Sequence, residues 1–195
     1  MKMIYVVAIA LFLGLGYLVW KASSRNAYES ASYRVSQSTG PFEIRDYPDL
    51  HLVTTSTDMD AAGNDGSFMR LFRYISGGND EKQKVAMTTP VFMDPNQSGT
   101  GGQMGFVLPK KVAKIGAPEP TGEGVQLRVR DGGQFAVMRF AGRMDSNDRT
   151  AAEKKLRDWM SQQRLSGETN AEFAGYDPPW IPGFLRRNEV LIRLL

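Results

Sequence analysis

The sequence predicts one α+β domain: a mixed sheet, curled into an open barrel, with two helices packed against its outside and an apolar helix before it. The 195 residues, of which 42% are hydrophobic, suffice for a single domain with a sizeable core. Segments with the periodicity of strands and of helices follow one another in the order strand, strand, helix, strand, strand. That order occurs twice along the chain, which indicates an internal repeat.

The N-terminal segment has the pattern of a membrane anchor. Residues 3–20 form an unbroken apolar run between Lys2 and Lys21. As a helix with a rise of ~1.5 Å per residue, this run is just long enough to cross a hydrocarbon core of ~30 Å. Trp20 stands at its end, where aromatic side chains favour the membrane interface. We therefore expect residues 1–21 to be an uncleaved anchor.

Two alternatives remain for this segment: a secretory signal cleaved near the small residues 22–24, or a buried helix of the globular domain.

The orientation of the segment in the membrane is a separate question. The positive charges of Lys21, Arg25 and Arg34 would keep the adjoining domain inside, whereas short N-terminal anchors commonly export the domain attached to them. We expect the soluble domain on the exported, periplasmic or extracytoplasmic side, with secretion after cleavage as the alternative.

A polar segment separates the anchor from the first strands. Residues 22–40 predict a stalk, and the folded domain is expected over residues 41–195. Residues 42–47 alternate apolar and polar side chains, which is typical of a half-buried strand. After a Pro-Asp turn, the β-branched residues 50–56 predict a second strand.

A helix and two strands complete the first unit. The helix is expected over residues 66–75 and ends at the glycines beyond it. Strands are expected at residues 85–93 and 104–108. The apolar positions of the helix have the spacing i, i+3, i+4, i+7 and are predicted to face the sheet: Phe68, Leu71, Phe72 and Ile75.

The second unit opens with a hairpin. Residues 125–130 and 134–140 predict two strands joined by an Asp-Gly-Gly turn. A helix comes next, and Thr150 and Glu153 have the spacing of a capping box at its start.

The C-terminal tail separates the last two strands, which are expected around Phe173 and at residues 190–195. Residues 178–183 contain three prolines and a glycine, so they cannot be helical and predict a stiff, extended crossing over the domain surface. Aromatic side chains among these prolines indicate that the segment has a defined structure and is not a flexible linker.

Composition excludes several classes of function. The chain has no cysteine and a single histidine, His51, so disulfides, cysteine nucleophiles and multi-histidine metal sites are excluded. The net charge is +3, and two of these positive charges are Lys2 and Lys21 beside the apolar run. The rest of the chain is therefore close to neutral, which argues against nucleic-acid binding. No nucleophile elbow or phosphate loop is present, and no catalytic or metal site is predicted. Glu43 and Glu189 are the carboxylates to consider for a hydrolytic role.

Four segments together resemble the SOUL haem-binding protein family: residues 42–48, 68–79, 84–91 and the tail 176–190. The resemblance implies a distorted eight-stranded, antiparallel-rich barrel with two flanking helices, built from a duplicated β-β-α-β-β unit. It also implies that the cofactor is haem (heme b) or another tetrapyrrole. Related folds bind varied ligands, so the resemblance speaks more strongly for fold than for ligand.

The resemblance places the haem-binding surface on the first helix and a nearby loop. On the side of this helix opposite its predicted apolar face stand Met69, Arg70 and Arg73. Methionine packs well against an apolar ring and arginine pairs with propionates, so these three are the candidate cofactor-binding residues. His51 is the obvious axial ligand for iron, with a structural or surface role as the alternative.

The expected function is therefore a membrane-tethered, non-catalytic binding protein that buffers or carries haem or a related tetrapyrrole. A small-molecule-binding or hydrolytic barrel with a non-haem ligand is the first alternative, and a cleft lined by carboxylates and aromatics would favour it. An envelope interaction module is the second, and a filled barrel without a cleft would favour that.

Overall fold

A computed structural model describes residues 28–57, 66–94 and 102–195, together with the single positions 5, 14 and 16. Apart from those three positions, the predicted anchor over residues 1–21 lies outside the described residues. No helix in the described ranges has the length and apolar character needed to cross a membrane.

The described chain forms strands and helices in the order that the sequence predicts, with additions. The helices are α1 (Ser67–Ile75), α2 (Lys110–Ile115) and α3 (Ser146–Gln162), and a 3-10 turn covers Gly183–Leu185. The strands are β1 (Glu29–Ser30), β2 (Arg34–Thr39), β3 (Phe42–Tyr47), β4 (Leu50–Ser56), β5 (Thr88–Thr89), β6 (Val91–Asp94), β7 (Gln103–Val107), β8 (Val125–Arg130), β9 (Gly133–Phe140), β10 (Glu172–Gly175) and β11 (Asn188–Arg193).

One large curled sheet dominates the fold. Its nine strands have the order β2-β3-β9-β11-β10-β6-β7-β4-β8, and all neighbours are antiparallel. From β3 to β8 the order is symmetric about the β10–β6 pair, with β3 and β8, β9 and β4, and β11 and β7 as counterparts. This symmetry is the one expected of a duplicated β-β-α-β-β unit.

The sheet differs from the expected eight-stranded barrel in two respects. It has nine strands, and it is open, with β2 and β8 as its edges. The additional strand β2 lies within the predicted stalk, residues 22–40, and pairs with β3. All six residues of β2 are exposed, so it lacks the alternation of apolar side chains by which a strand is recognised. The helix α2 was also not predicted.

The two faces of the sheet have different partners. Along β11, Val190 and Ile192 pack in the cluster that contains Leu156 and Trp159 of α3. The intervening Leu191 belongs to a cluster on the opposite, inner face, because successive strand residues point to opposite sides. Helix α1 packs against β4, β7 and β8, and α3 packs against β9 and β11. The prediction that both helices flank the sheet is confirmed.

Helix α1 is rotated relative to the predicted orientation. Leu71 and Ile75 are buried as expected, but Phe68 and Phe72 are 41% and 44% exposed. Tyr74 occupies the buried face instead, and its hydroxyl donates a hydrogen bond to the carbonyl of Pro118 over 2.9 Å. This bond removes the cost of burying the phenol oxygen. The two phenylalanines consequently lie on a flank of the helix.

Helix α3 begins earlier than the predicted capping box. Its N-cap is Asp145, whose Oδ1 accepts a hydrogen bond from the Asp148 amide over 2.9 Å. Thr150 lies inside the helix, and its hydroxyl bonds to the carbonyl of Ser146. The capping-box prediction was wrong because the helix already begins at Ser146 with Asp145 as its cap, so Thr150 and Glu153 lie beyond its N-cap position.

Replacing Asp145 with alanine is expected to destabilise the domain by about 1 kcal/mol, because the first turn of α3 loses its side-chain acceptor. Thermal unfolding of the two proteins measures the change. Asp158→Ala, at an exposed position of the same helix, is the matched control and should change stability by less than about 0.5 kcal/mol. Equal effects of the two substitutions would show that Asp145 does not act as a cap.

Candidate functional site

A cleft of about 510 Å³ lies between α1 and α3, above the central β6–β10 pair. Val91 and Met93 of β6 and Gly175 of β10 form its floor. A side chain at position 175 would meet the methyl groups of Met93 and Met144 at 3.4 and 3.6 Å. Glycine at this position therefore keeps the floor low. The cleft has the size of a typical small-ligand site.

Apolar side chains dominate the walls of the cleft. Phe68 and Phe72 of α1 lie nearly parallel, with ring centroids 6.1 Å apart. Their spacing in the sequence predicts a core face, whereas the structure places both rings in the wall of the cleft. The methionines that line the cleft come from four separate segments: Met87, Met93, Met104 and Met144.

The tail forms the remaining wall. Residues 176–180 line the cleft, and Arg186 does so from the far side of the same loop. The amide of Tyr176 donates to the carbonyl of Arg187 over 3.1 Å, and the amide of Gly142 donates to that of Gly183 over 3.1 Å. These bonds hold the loop in one place on the domain. The tail is thus a surface crossing, as predicted, and it is also part of the candidate site.

The charged groups of the cleft are mostly cationic. Among the residues that the structure describes, Arg143, Arg149 and Arg186 line it, against a single carboxylate, Asp177. Arg149 is held by a 2.8 Å bond from its Nε to the carbonyl of Met144. Asp177 accepts a 2.5 Å hydrogen bond from the amide of Arg187. The cleft therefore suits an apolar molecule with anionic groups at its edge.

The predicted cofactor-binding residues lie outside the cleft lining. Met69 is 59% exposed and Arg73 is also exposed, both on the solvent side of α1. Arg70 turns towards β4, where its Nε donates to Thr55 Oγ1 over 2.9 Å and its Nη2 to the carbonyl of Ser56 over 2.6 Å. The residues of α1 that line the cleft are Phe68 and Phe72.

His51 is exposed at the second position of β4. It lines a separate depression that also contains Asp49 and Lys110. Among the described residues, the cleft between the helices has no histidine in its lining.

A buried ion cluster lies on the inner face of the sheet beside the tail. Glu189 is fully buried, and Arg45 binds both of its carboxylate oxygens, over 2.7 and 3.0 Å. Arg187 donates to the same carboxylate over 2.7 Å, and the hydroxyl of Tyr176 over 2.9 Å. Arg45 also bonds Glu43 through Nε over 2.7 Å. The two carboxylates considered for hydrolysis thus both hold Arg45 in place.

Burial and the neighbouring arginines set the protonation states of Glu189 and Tyr176 in this cluster. Burial alone would raise the pKa of Glu189, but the hydrogen bonds and charges of Arg45 and Arg187 outweigh it and lower that pKa below its ordinary value. Burial raises the pKa of Tyr176 well above its ordinary value, so its hydroxyl remains a donor. A permanently ionised carboxylate with these donors is unsuited to proton transfer near neutral pH.

A second cluster of charged side chains lies on the inner face, around Arg130. Arg130 binds Glu172 over 2.6 Å, while its buried Nη1 has no hydrogen-bond partner in the described part of the chain. A cavity of about 40 Å³ adjoins both, large enough for about one water molecule. Burial, reinforced by the charge of Glu172, raises the pKa of the neighbouring Asp94 to about 6.

Curated relatives align with much of the length of this chain. Haem-binding protein 1 of Xenopus laevis is 28% identical over 156 residues, which cover 76% of this chain and 81% of the relative. Haem-binding protein 1 of Mus musculus is 29% identical over 127 residues, covering 62% and 66% of the two chains.

A solved structure and a family profile extend the comparison. An uncharacterised conserved protein of Listeria innocua superposes with a TM-score of 0.59 at 10% identity, over 79% of this chain and 92% of that one. This likeness concerns the fold alone. The profile described as SOUL heme-binding protein matches residues 28–193. The chain therefore belongs to the SOUL haem-binding protein family.

Proposed function

We propose that the domain binds haem or a related tetrapyrrole in the cleft between α1 and α3, as a non-catalytic buffer or carrier. The cleft itself is the observation that supports this function most directly. It combines apolar walls, aromatic rings and methionines with three arginines. The family and the names of the haem-binding relatives support the same class of ligand.

The residues of the cleft fit a tetrapyrrole. Phe68, Phe72 and Trp180 offer ring surfaces for a flat apolar molecule. Arg143 lines the cleft where it can pair with a propionate group. Arg186 already donates to the carbonyls of Ile181 and Pro179, so it would pair through the rest of its guanidinium. Methionine thioethers are soft and weak ligands for iron. The bound group would supply an iron centre, and the protein would supply shape, exclusion of water and pairing for the carboxylates.

Met69, Arg70 and Arg73 are proposed as outer contacts. Met69 and Arg73 are next to the cleft flank of α1 in sequence and would meet the edge of a ligand that protrudes from it. Arg70 would have to leave Thr55 and Ser56 to join them. We therefore rank Met69 and Arg73 below the cleft residues as determinants of affinity.

The alternative functions have less support. A non-haem ligand in a carboxylate-lined cleft is disfavoured because Asp177 is the only carboxylate among the described cleft residues. A hydrolytic role is disfavoured because Glu43 and Glu189 are tied to Arg45. An interaction module without a ligand is disfavoured by the presence of the cleft.

The membrane location is also a proposal. We place the domain on the exported side, tethered by residues 3–20, because the apolar run has the length of a membrane span. Secretion after cleavage of this segment is the alternative. Fractionation of tagged cells, with protease protection of the domain, distinguishes an exported, membrane-bound protein from a released or internal one.

Haemin titration of the purified full chain tests the proposed ligand. A saturable shift of the Soret band at one equivalent, with a dissociation constant in the micromolar range or below, is the expected result. A shift that rises linearly with haemin, without saturation, would contradict specific binding. Protoporphyrin IX without iron separates recognition of the ring from ligation of the metal.

His51→Ala is expected to leave the Soret maximum and the haemin affinity unchanged within about twofold. The physical reason is that His51 lines a different depression from the cleft. Absorption spectra of the ferric and ferrous complexes provide the measurement. Loss of the Soret shift in this variant would move the haem site to β4 and contradict the cleft as its location.

A further inference from the structure

The tail loop, residues 176–187, exposes two large aromatic side chains. Trp180 is 72% exposed and Phe184 is 78% exposed. The loop is nevertheless held firmly, because Ile181 is buried and Gly183 accepts the hydrogen bond from Gly142. Exposed aromatic residues on a fixed loop are costly in water and are common where a protein meets another surface.

Positive charge accompanies these aromatic residues. The side chain of Arg143 packs beside Gly183, since a Cβ at position 183 would lie 3.0 Å from Arg143 Cγ. Arg143 is itself exposed. Three arginines and one aspartate line the adjoining cleft, and two further carboxylates lie next to Arg143: Asp148, which accepts hydrogen bonds from the amides of Arg143 and Met144, and Asp145, the N-cap of α3. The arginines therefore alternate with carboxylates, and the feature that suits an anionic lipid headgroup layer is the pairing of exposed aromatic rings with arginine side chains.

The path of the chain connects this surface to the apolar N-terminal run. Tyr28, the first residue of the described domain, lines the same cleft as Trp180. Seven residues, 21–27, separate Tyr28 from Trp20 at the end of the run. Seven residues reach at most about 25 Å. An anchor formed by residues 3–20 would therefore keep the mouth of the cleft near the bilayer surface.

We propose that the tail loop docks on an anionic bilayer surface, with Trp180 and Phe184 in the headgroup region and the cleft opening beside the lipid. This proposal rests on the proposed anchor and cleft. An apolar ligand would then pass between the bilayer and the cleft without crossing bulk water. Tryptophan favours this interfacial position because its ring is apolar and its N–H is polar.

The absence of cysteine from the chain allows a site-specific test in the full-length protein. Phe184→Cys is labelled with an environment-sensitive NBD dye and reconstituted in vesicles of phosphatidylcholine and phosphatidylglycerol. Ile115→Cys is the matched control, because Ile115 is 70% exposed and does not line the cleft. Lipids with a nitroxide in the headgroup region report contact by quenching.

Docking predicts a blue-shifted, quenched dye at position 184 and a water-exposed dye at position 115. Adding Arg143→Glu should reduce the shift at position 184 in phosphatidylglycerol vesicles. A water-exposed dye at position 184, or equal quenching at both positions, would overturn the proposal. A shift that needs no bilayer and rises with protein concentration would overturn it too, and would identify a second copy of the chain as the occupant.

Haemin titration of the same labelled proteins separates this proposal from the proposed function. A protein that binds haemin but leaves position 184 in water overturns the docking alone. A protein that docks but shows no saturable haemin binding overturns the proposed ligand alone.

Discussion

Glu189→Gln is expected to destabilise the domain by roughly 3–5 kcal/mol, a loss of roughly 6–20 °C in the midpoint of thermal unfolding for a chain of this size. Glu189 is fully buried and accepts hydrogen bonds from Arg45 and Arg187. The amide would remove one of the two carboxylates that pair with the buried guanidinium of Arg45 in the described residues and would leave it with Glu43. The amide group also brings two donors to a place where donors already converge.

Acid unfolding supplies an independent measure of the same cluster. The folded-state pKa of Glu189 lies below its ordinary value, so its contribution is fully present above the unfolded pKa of about 4.3. That contribution is lost as the pH falls through the folded-state pKa. Stability of the natural protein should therefore fall in acid more steeply than stability of the Glu189→Gln variant.

The control for this prediction is an exposed ion pair. Lys154 and Asp158 pair over 2.7 Å on the surface of α3, with both side chains more than half exposed. Asp158→Asn should cost less than about 0.5 kcal/mol, because solvent screens this pair.

Adding Arg45→Met to Glu189→Gln should cost less than the sum of the single changes. Strict additivity would show that the two groups do not interact.

Strand alternation made much of the sheet predictable from the sequence. The bounds of β3, β4 and β8 are the predicted ones, because each strand presents apolar residues to at least one packed face. Strand β2 escaped prediction since both of its faces meet solvent. Its place in the sheet comes from backbone hydrogen bonds to β3, which leave no periodic signal in the side chains.

The cleft could not be predicted from periodicity. Phe68 and Phe72 have the same spacing relative to Leu71 and Ile75 that core residues have, and hydrophobicity alone does not tell a core face from a ligand-facing flank. What separates them is Tyr74, whose hydroxyl finds a partner in Pro118 and so can be buried. That partner is distant in sequence, and only the folded chain brings it close.

Phe72→Asp is expected to weaken haemin binding at least tenfold, which corresponds to about 1.4 kcal/mol. The substitution removes one of the two stacked rings on the α1 wall of the cleft. It also places a negative charge where the carboxylate groups of the ligand would approach. Because Phe72 is 44% exposed, the fold should keep its stability, and fluorescence quenching or the Soret shift then measures affinity in a folded protein.

Met69→Asp is the matched control because it introduces the same charge on the same helix. Met69 is 59% exposed and lies outside the cleft lining, so its replacement should change the affinity by less than about threefold, or 0.7 kcal/mol. The pair therefore distinguishes the two possible sites on α1. A larger loss in Met69→Asp than in Phe72→Asp would place the ligand on the solvent face that the sequence predicted.

Two arginine substitutions test, in the same way, where the carboxylates of the ligand bind. Arg143→Glu at the cleft and Arg73→Glu on the solvent side of α1 reverse the same charge at exposed positions. Pairing with a carboxylate in the cleft predicts a greater loss of affinity for Arg143→Glu, and a loss that shrinks as salt rises. Equal losses of affinity in the two variants would contradict a specific contact. They would point to long-range attraction by the net charge of the protein, which does not depend on which side of the helix carries the charge.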